Sequence, residues 1–461
     1  MRGQHSTTAT FGVLVAATLY FSLLQSLVTP LMPFLRARFG LGQEAITWLI
    51  TGYLVVAAVA TPLIGQLGDR YGRGVMLRIT MIVFTSGGLI AALTDSFPWL
   101  VVARMVQGIG GGVFPLAYAI IRDSFPPRRV AGAIGGLSSV MALGSGIGVV
   151  MVGPLTAAFG YQSLFWIITG IGVLVCLGVW LFIPLTRGGV KQPTDWLGIV
   201  LLSAWVLQLL YASTIGNSIG WLSWQVIGLF AGFALTLGVW VFWESRHRFP
   251  LINIRTLGNK TVKIGNLVAF LFGIVMFSSN TFVVAYLQAD PGGGFGLGAS
   301  LTMTGLLLLP QTAIFLIVGI SSGGIARRIG SRAAVLLGGG FSAVGYAVLT
   351  VWNDTFFSVV LLSCVAGLGI SLFFAQITNL ILPAIPQAET GAVTGMNNTI
   401  RNIGGALGGQ VCAAAVGAEL VQSGAFLGGY QLVFAFLAIA SGLALAACLF
   451  VPKMGAPVAR V

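Results

Sequence analysis

The sequence predicts an all-α integral membrane protein of about fourteen spans, and three observations carry that prediction. First, 57% of the 461 residues are hydrophobic and only 7% are charged, too little charge to cover the surface of a soluble domain of this size. Second, apolar runs of roughly 20 residues recur along the whole chain. Third, the basic residues lie in short segments between those runs, the pattern that orients a membrane protein.

The apolar runs centre on residues 11–33, 45–66, 76–94, 97–120, 130–157 and 163–184. A polar linker at 187–195 precedes two further runs, 196–214 and 221–243. After a basic loop at 244–263 come six more: 264–287, 299–322, 333–351, 356–382, 391–416 and 428–451. The expected organisation is therefore a six-helix bundle (1–186), a linker with two additional transmembrane helices (187–262) and a second six-helix bundle (263–461). Residues 11–35 make a full-length span without a small-residue cleavage site, so the first span is expected to be retained.

Orientation tests the count. With both termini in the cytoplasm, Arg2, Arg70, Arg73, Arg78, Arg122, Arg128, Arg129, Arg187 and Lys191 fall inside. So do Arg246, Arg248, Arg255, Lys260, Lys263, Arg327, Arg328, Arg332, Lys453 and Arg460. Only Arg36 and Arg38 lie outside, and Arg104 and Arg401 fall within spans. A wrong count would scramble this bias, and a twelve-span version would leave the apolar stretch 196–243 out of the bilayer. The net charge of +13 is thus an orientation signal, and nucleic acid is excluded as a partner. The partners expected are the lipid bilayer and a small-molecule substrate, with the chain acting as a monomer.

Cys176, Cys364, Cys412 and Cys448 all sit inside apolar runs without ligand spacing and read as small buried hydrophobes. No in-membrane Ser-His-Asp set and no Walker-type glycine loop occur, and His5 and His247 lie in cytoplasmic segments. An enzyme is disfavoured, and no cofactor or metal is called for.

The most informative stretch is Gly65-Gln66-Leu67-Gly68-Asp69-Arg70-Tyr71-Gly72-Arg73, a charged turn between the second and third runs. Its glycines allow two helices to meet closely, its acid can cap a helix or pair with a base, and its arginines hold the cytoplasmic face. Gly323 to Gly330 occupies the same place in the last block, with Arg327 where Asp69 would stand. Paired halves around a central path are a transporter architecture.

These residues resemble the major facilitator superfamily, in particular its fourteen-span drug:proton antiporter branch. Gly65–Arg73 resembles the family's loop between spans two and three, Leu100–Gly108 its fourth-span motif, Asp195–Gly198 the entry to the extra helix pair, and Asn397–Gly405 its thirteenth-span signature. The resemblance implies the major facilitator fold and secondary active export of amphipathic drugs or antibiotic-like molecules by alternating access. It also implies protons as the coupling ion and the cytoplasmic membrane as the location. For Gly65, Asp69, Arg70, Gly72 and Arg73 it implies a conformational latch, to which Asp123 adds a further acid. For Arg104 it implies a part in proton transfer or substrate binding.

On the residues themselves, Arg104 stands one helical turn before Gln107 and must face a bundle interior or a watery cavity. A structural arginine bonded to backbone carbonyls of a neighbouring span is the competing reading. Arg401, with Asn397 and Asn398 before it, forms a second polar cluster, as consistent with interhelical bonding as with a cavity wall. Gln25, Asn280, Gln311, Gln376 and Asn379 are candidates for lining the path, each also readable as glue between helices. The glycines Gly108 and Gly112, and the pairs Gly404/Gly408 and Gly405/Gly409, read as helix-packing faces.

Two departures from the family pattern bear on coupling. Leu24 stands where the first span usually carries an acid, and Val149 where the fifth usually carries proline, which predicts a straighter fifth span. All ten acids fall in loops or at span ends, and arginine stays protonated, so Arg104 alone cannot be the titrating group. Two further readings stand beside proton antiport. One is a facilitator, or an exporter of one endogenous metabolite or lipid, with coupling lost or displaced to Asp69 or Asp123. The other is a non-transporting membrane sensor or scaffold.

Overall fold

The computed structural model describes residues 7–41, 43–185, 195–289, 296–386, 389–419 and 428–451. Arg2, His5, Arg187, Lys191, Lys453 and Arg460, whose sides of the membrane were expected above, lie outside the described residues, as does Asp290. So does the boundary expected between the first bundle and the linker.

The first block holds α1 (Thr7–Ser26), α2 (Val28–Phe39), α3 (Gln43–Tyr71), α4 (Arg73–Leu93), α5 (Phe97–Gly108), α6 (Val113–Ser124), α7 (Pro127–Phe159) and α8 (Tyr161–Phe182). The added pair is α9 (Trp196–Ile219) and α10 (Trp224–Arg246), followed by the short α11 (Ile254–Gly258). The last block holds α12 (Lys260–Gln288), α13 (Leu301–Leu307), α14 (Leu309–Val351), α15 (Phe356–Ile381), α16 (Thr390–Glu419) and α17 (Gly429–Leu449). Helix α12 starts a few residues before 263, the expected start of that block.

Among the described residues, 13 segments are long and apolar enough to cross a membrane. The fourteenth expected run is present as α16, a 30-residue helix that falls short of that mark. Its apolar run is diluted by Asn397, Asn398, Arg401 and Asn402, which are nearly all buried inside the protein. Polar residues in a span survive when they face other helices rather than lipid.

Local signals explain the breaks. Helices α3 and α4 are joined through Gly72 alone, at φ 106° and ψ 124°, a conformation that a Cβ would strain. Inside α14 the chain breaks at Gly330, with φ 80° and ψ 153°. The two glycines close the loops that the sequence marks as repeats, so the second copy keeps the turn while losing the acid. Asp69 was expected to cap the third span, but the N-cap of α4 is Gly72, which makes no side-chain cap bond. Asp69 lies in the last turn of α3, and a one-residue joint leaves no room for it to curl back onto α4. Helix α7 runs unbroken through Val149 and past Pro154.

The fourth span is α5 and α6 joined by a tight 3-10 turn, Ile109–Gly112. Side chains there would strike α3: a Cβ on Gly108 would sit 2.7 Å from the Tyr53 carbonyl, and one on Gly112 would meet Ile64. On α16, Gly404, Gly405 and Gly408 pack against Phe270, Phe277 and Ile274 of α12, whereas Gly409 has open space around it. Close approach through small residues is how helices associate where lipid removes the hydrophobic drive.

The two blocks meet along two seams, α3 against α16 and α7 against α14 and α15. The added helices pair with each other, and α9 also packs on α3 and α16. Helix α10 is mostly turned outward, with Trp224 80% exposed and Leu235 69%, an apolar face suited to acyl chains.

Candidate functional site

Between the blocks lies a cavity of about 100 Å³, lined by α1, α2, α3, α5 and α7 on one side and α12, α14 and α15 on the other. Of the residues expected to line a path, Gln25, Arg104 and Asn280 reach it, and Gln311 joins Asn280 in a smaller adjoining hollow. Tyr53, Met141, Met276, Phe277, Phe315 and Phe374 supply most of the apolar wall. Sequence reasoning missed these, since a Met or Phe in an apolar span carries no mark that separates a cavity wall from a lipid face.

Among the described residues, Arg104 is the charged residue of the lining, and no Asp or Glu joins it. Its Nε donates to the Leu49 carbonyl at 3.1 Å, and its Nη1 donates to Gln107 Oε1 at 2.7 Å, one turn along the same helix. The guanidinium stands 4.5 Å from the centre of the Tyr53 ring, within cation–π range. The side chain thus braces a neighbouring backbone carbonyl, as the structural reading expects, and also faces the cavity.

The remaining polar candidates lie elsewhere. Arg401 stands 4.8 Å from the Phe374 ring, on the far side of that wall residue, and is bonded to Asn398. Asn397 donates to Asn266 Oδ1 at 2.8 Å and so ties α16 to α12. Gln376 accepts from Ser331 at 2.9 Å and from Asn379 at 3.3 Å, between α14 and α15.

The charged loop forms a compact cluster at the basic end of the bundle. Arg73 Nε and Nη2 donate to Asp69 Oδ1 at 2.9 and 2.7 Å. Its Nη1 reaches the Ala119 carbonyl at 3.1 Å and also pairs with Asp123. One guanidinium, 7% exposed, therefore holds two acids from α3 and α6. Arg70 lies over the Tyr71 ring, 4.8 Å from its centre.

This cluster touches the opposite block. The backbone N–H of Ala392, in the first turn of α16, bonds to Asp69, where a carboxylate meets the positive end of the helix. A Cβ on Gly391 would lie 2.8 Å from the Gly65 carbonyl and 2.9 Å from Asp69 Oδ2. Four residues on, a Cβ on Gly395 would lie 2.9 Å from Pro62 Cα. Four more bring Thr399, whose hydroxyl donates to the Ala58 carbonyl at 2.8 Å. Arg122 completes the closure, donating to the Ile385 carbonyl at 2.9 Å and bonding Thr390. The small residues of this seam are visible in the sequence, but their partner helix is not.

A helical chain of two matched blocks, with a cavity between them and a seal at one end, is the architecture of an alternating-access carrier. The sequence matches the family described as the Major Facilitator Superfamily over residues 14–409, and the protein belongs to that family of membrane transporters. Among curated proteins it is 27% identical to the multidrug transporter protein MdtP of Bacillus subtilis, over 90% of this chain and 76% of that protein. It is also 27% identical to a probable actinorhodin transporter of Streptomyces coelicolor, over 87% of this chain and 71% of that protein. The proton:xylose symporter XylE shares the fold, with a TM-score of 0.69 at 14% identity over 96% of both chains. The human organic anion transporter MFSD10 does so with a TM-score of 0.62 at 16% identity, over 97% of this chain and all of that one.

Proposed function

We propose that this transporter exports amphipathic small molecules of the drug or antibiotic type across the cytoplasmic membrane, favouring neutral and anionic cargo. The observation that carries the reading is the cavity itself: mostly apolar, with Arg104 as its charged group and no carboxylate among the described residues of its lining. A cationic drug would meet an unbalanced guanidinium at low dielectric, whereas an anion would be stabilised by it. With Nε and Nη1 engaged by Leu49 and Gln107, Nη2 is the guanidinium nitrogen left for cargo. The multidrug and antibiotic transporters among its relatives support export.

The basic end is taken as cytoplasmic, by the distribution of Lys and Arg. The sealed seam between α3 and α16 then corresponds to a state closed to the cytoplasm, with the Asp69–Arg73–Asp123 cluster and the Ala392 N–H as its latch. Proton antiport is the proposed drive. The described residues of the cavity include no acid to carry the proton, which favours coupling displaced to the latch acids as the second reading.

Efflux from a strain lacking its own pumps tests this, using matched anionic, neutral and cationic dyes with and without a protonophore. Faster loss of anionic and neutral dyes, abolished by the protonophore, is expected. Export of the cationic dye alone would overturn the cargo assignment, and efflux indifferent to the protonophore would overturn antiport.

A further inference from the structure

We propose that Asp195 and Glu244 form a proton-binding site, one proton held between two buried carboxylates, in the added helix pair and apart from the transport cavity. Asp195 caps α9 and Glu244 lies in the last turns of α10; they are 3% and 2% exposed. A Cβ built on Gly198 would sit 2.6 Å from Asp195 Oδ2 and 2.7 Å from Glu244 Oε1. The two carboxylate oxygens therefore converge on one point beside the glycine.

The donors around them are unequal. Asp195 accepts from the Gly198 N–H at 2.8 Å and from the Trp243 indole N–H, 3.0 Å from both of its oxygens. Glu244 Oε2 accepts from the Ile252 N–H at 3.3 Å. Glu244 Oε1 is buried and makes no well-aligned hydrogen bond; the Trp240 indole N–H, itself unpaired, and the Leu251 N–H lie beside the carboxylate without satisfying that oxygen. A buried carboxylate oxygen without a donor is costly, and a proton supplies the donor it lacks.

Among the described residues, no cation acts on Glu244. The charged group acting on Glu244 is Asp195. The bases nearest in sequence lie against rings: Arg246 over Phe242, Arg248 over Phe249 and His247 against Trp243. Arg255, Lys260 and Lys263 are exposed. On α16, Glu389 is engaged by Asn253 and Thr256 at 3.1 and 2.6 Å. Two like charges in one dry site cannot both stay ionised, so the pair retains a proton between them.

The placement gives the proton a mechanical reach. Ile252, bonded to Glu244, belongs to a strap whose Pro250 carbonyl accepts from Gln66 of α3 at 3.2 Å. The same strap holds Glu389 at the start of α16 through Asn253 and Thr256. It therefore touches both blocks beside the seal.

The test needs no substrate, so it stands or falls separately from the transport assignment. Infrared difference spectra of the full-length protein in nanodiscs are recorded across a pH series for wild type, Glu244→Gln and Asp195→Asn. A protonated-carboxyl stretch is expected at neutral pH in wild type and is lost in Glu244→Gln. In Asp195→Asn it should vanish at a pH lower by roughly one unit or more, because the repelling partner is gone. No Glu244-dependent band, or a titration indifferent to Asp195, would overturn the shared site. Removal of the band by sodium at fixed pH would overturn the proton as its ligand. If the acid variants fail to fold, Gly198→Ala keeps every ionisable group and fills the point where the oxygens converge. A shifted band is expected there, and an unchanged one would refute the site.

Discussion

Gly391 of α16 rests directly on the carbonyl of Gly65 in α3, where an added Cβ would stand 2.8 Å from that oxygen. The contact joins the two blocks beside the Asp69–Arg73–Asp123 cluster, and nothing larger than glycine fits it. Gly391→Val should therefore oppose closure at the basic end. Overpacking of about 1–3 kcal/mol corresponds to a roughly 5- to 150-fold shift between access states. Labelling of a cysteine placed on α16 near the seam, by a reagent applied from the cytoplasm, should rise accordingly, and transport should fall with it. Unchanged labelling would remove the seam from the gate.

Arg73 holds both Asp69 and Asp123, so its removal takes away the guanidinium that bridges the two acids and leaves Arg122 acting on Asp123. Arg73→Leu should destabilise more than Asp69→Asn or Asp123→Asn, on the order of 3–5 kcal/mol for an uncompensated buried charge. Arg73→Lys keeps the charge but loses the fork that spans the two carboxylates and should recover only part of it. Thermal unfolding midpoints in detergent check the order of the variants.

Arg104→Lys separates charge from geometry in the cavity. A lysine keeps the positive charge but cannot reach Leu49 and Gln107 together while facing cargo. Anionic dye binding should weaken by roughly tenfold or more, as for loss of a charge-assisted hydrogen bond, with neutral dyes less affected. Equilibrium binding to purified protein reads this without relying on coupling.

At the other end of the bundle, Asp95 accepts from Tyr161 at 2.7 Å and pairs with Arg38 at 2.8 Å. These two donors, Tyr161 first, hold the Asp95 carboxyl below its usual value. A depressed folded value means that the clasp contributes fully above the unfolded carboxylate range, about 4, and is lost only as pH falls through the lower folded value. Acidification from neutral to about pH 5 should leave the protection factors of the 94–97 turn unchanged once the intrinsic pH dependence of amide exchange is divided out, and Asp95→Asn should lower them throughout that range.

Much of the architecture is readable from the residues alone because the bilayer imposes it. Apolar length marks the spans, basic residues mark one end, and Gly72 and Gly330 mark the turns where a Cβ is not tolerated. The Arg104–Gln107 bond is legible too, since residues one turn apart share a helix face. Helix α16 shows the limit of that reading: its apolarity is weak, and packing against α3 and α12 keeps its asparagines from lipid.

Local chemistry thus determines which segments span, where they turn and which charges lie in the membrane, for these depend on spacings within one helix. The tertiary structure decides which polar groups meet cargo and which bind helices together. Gln25, Asn280 and Gln376 look alike as residues, yet the first two reach the cavity while Gln376 holds Ser331 and Asn379. The latch divides in the same way. Asp69 and Arg73, one turn apart, announce their own pairing, but their meeting with Asp123 of α6 and Ala392 of α16 depends on how distant helices pack. In an apolar bundle that packing follows from side-chain shape and small-residue contacts along each seam, which no spacing within a single span encodes.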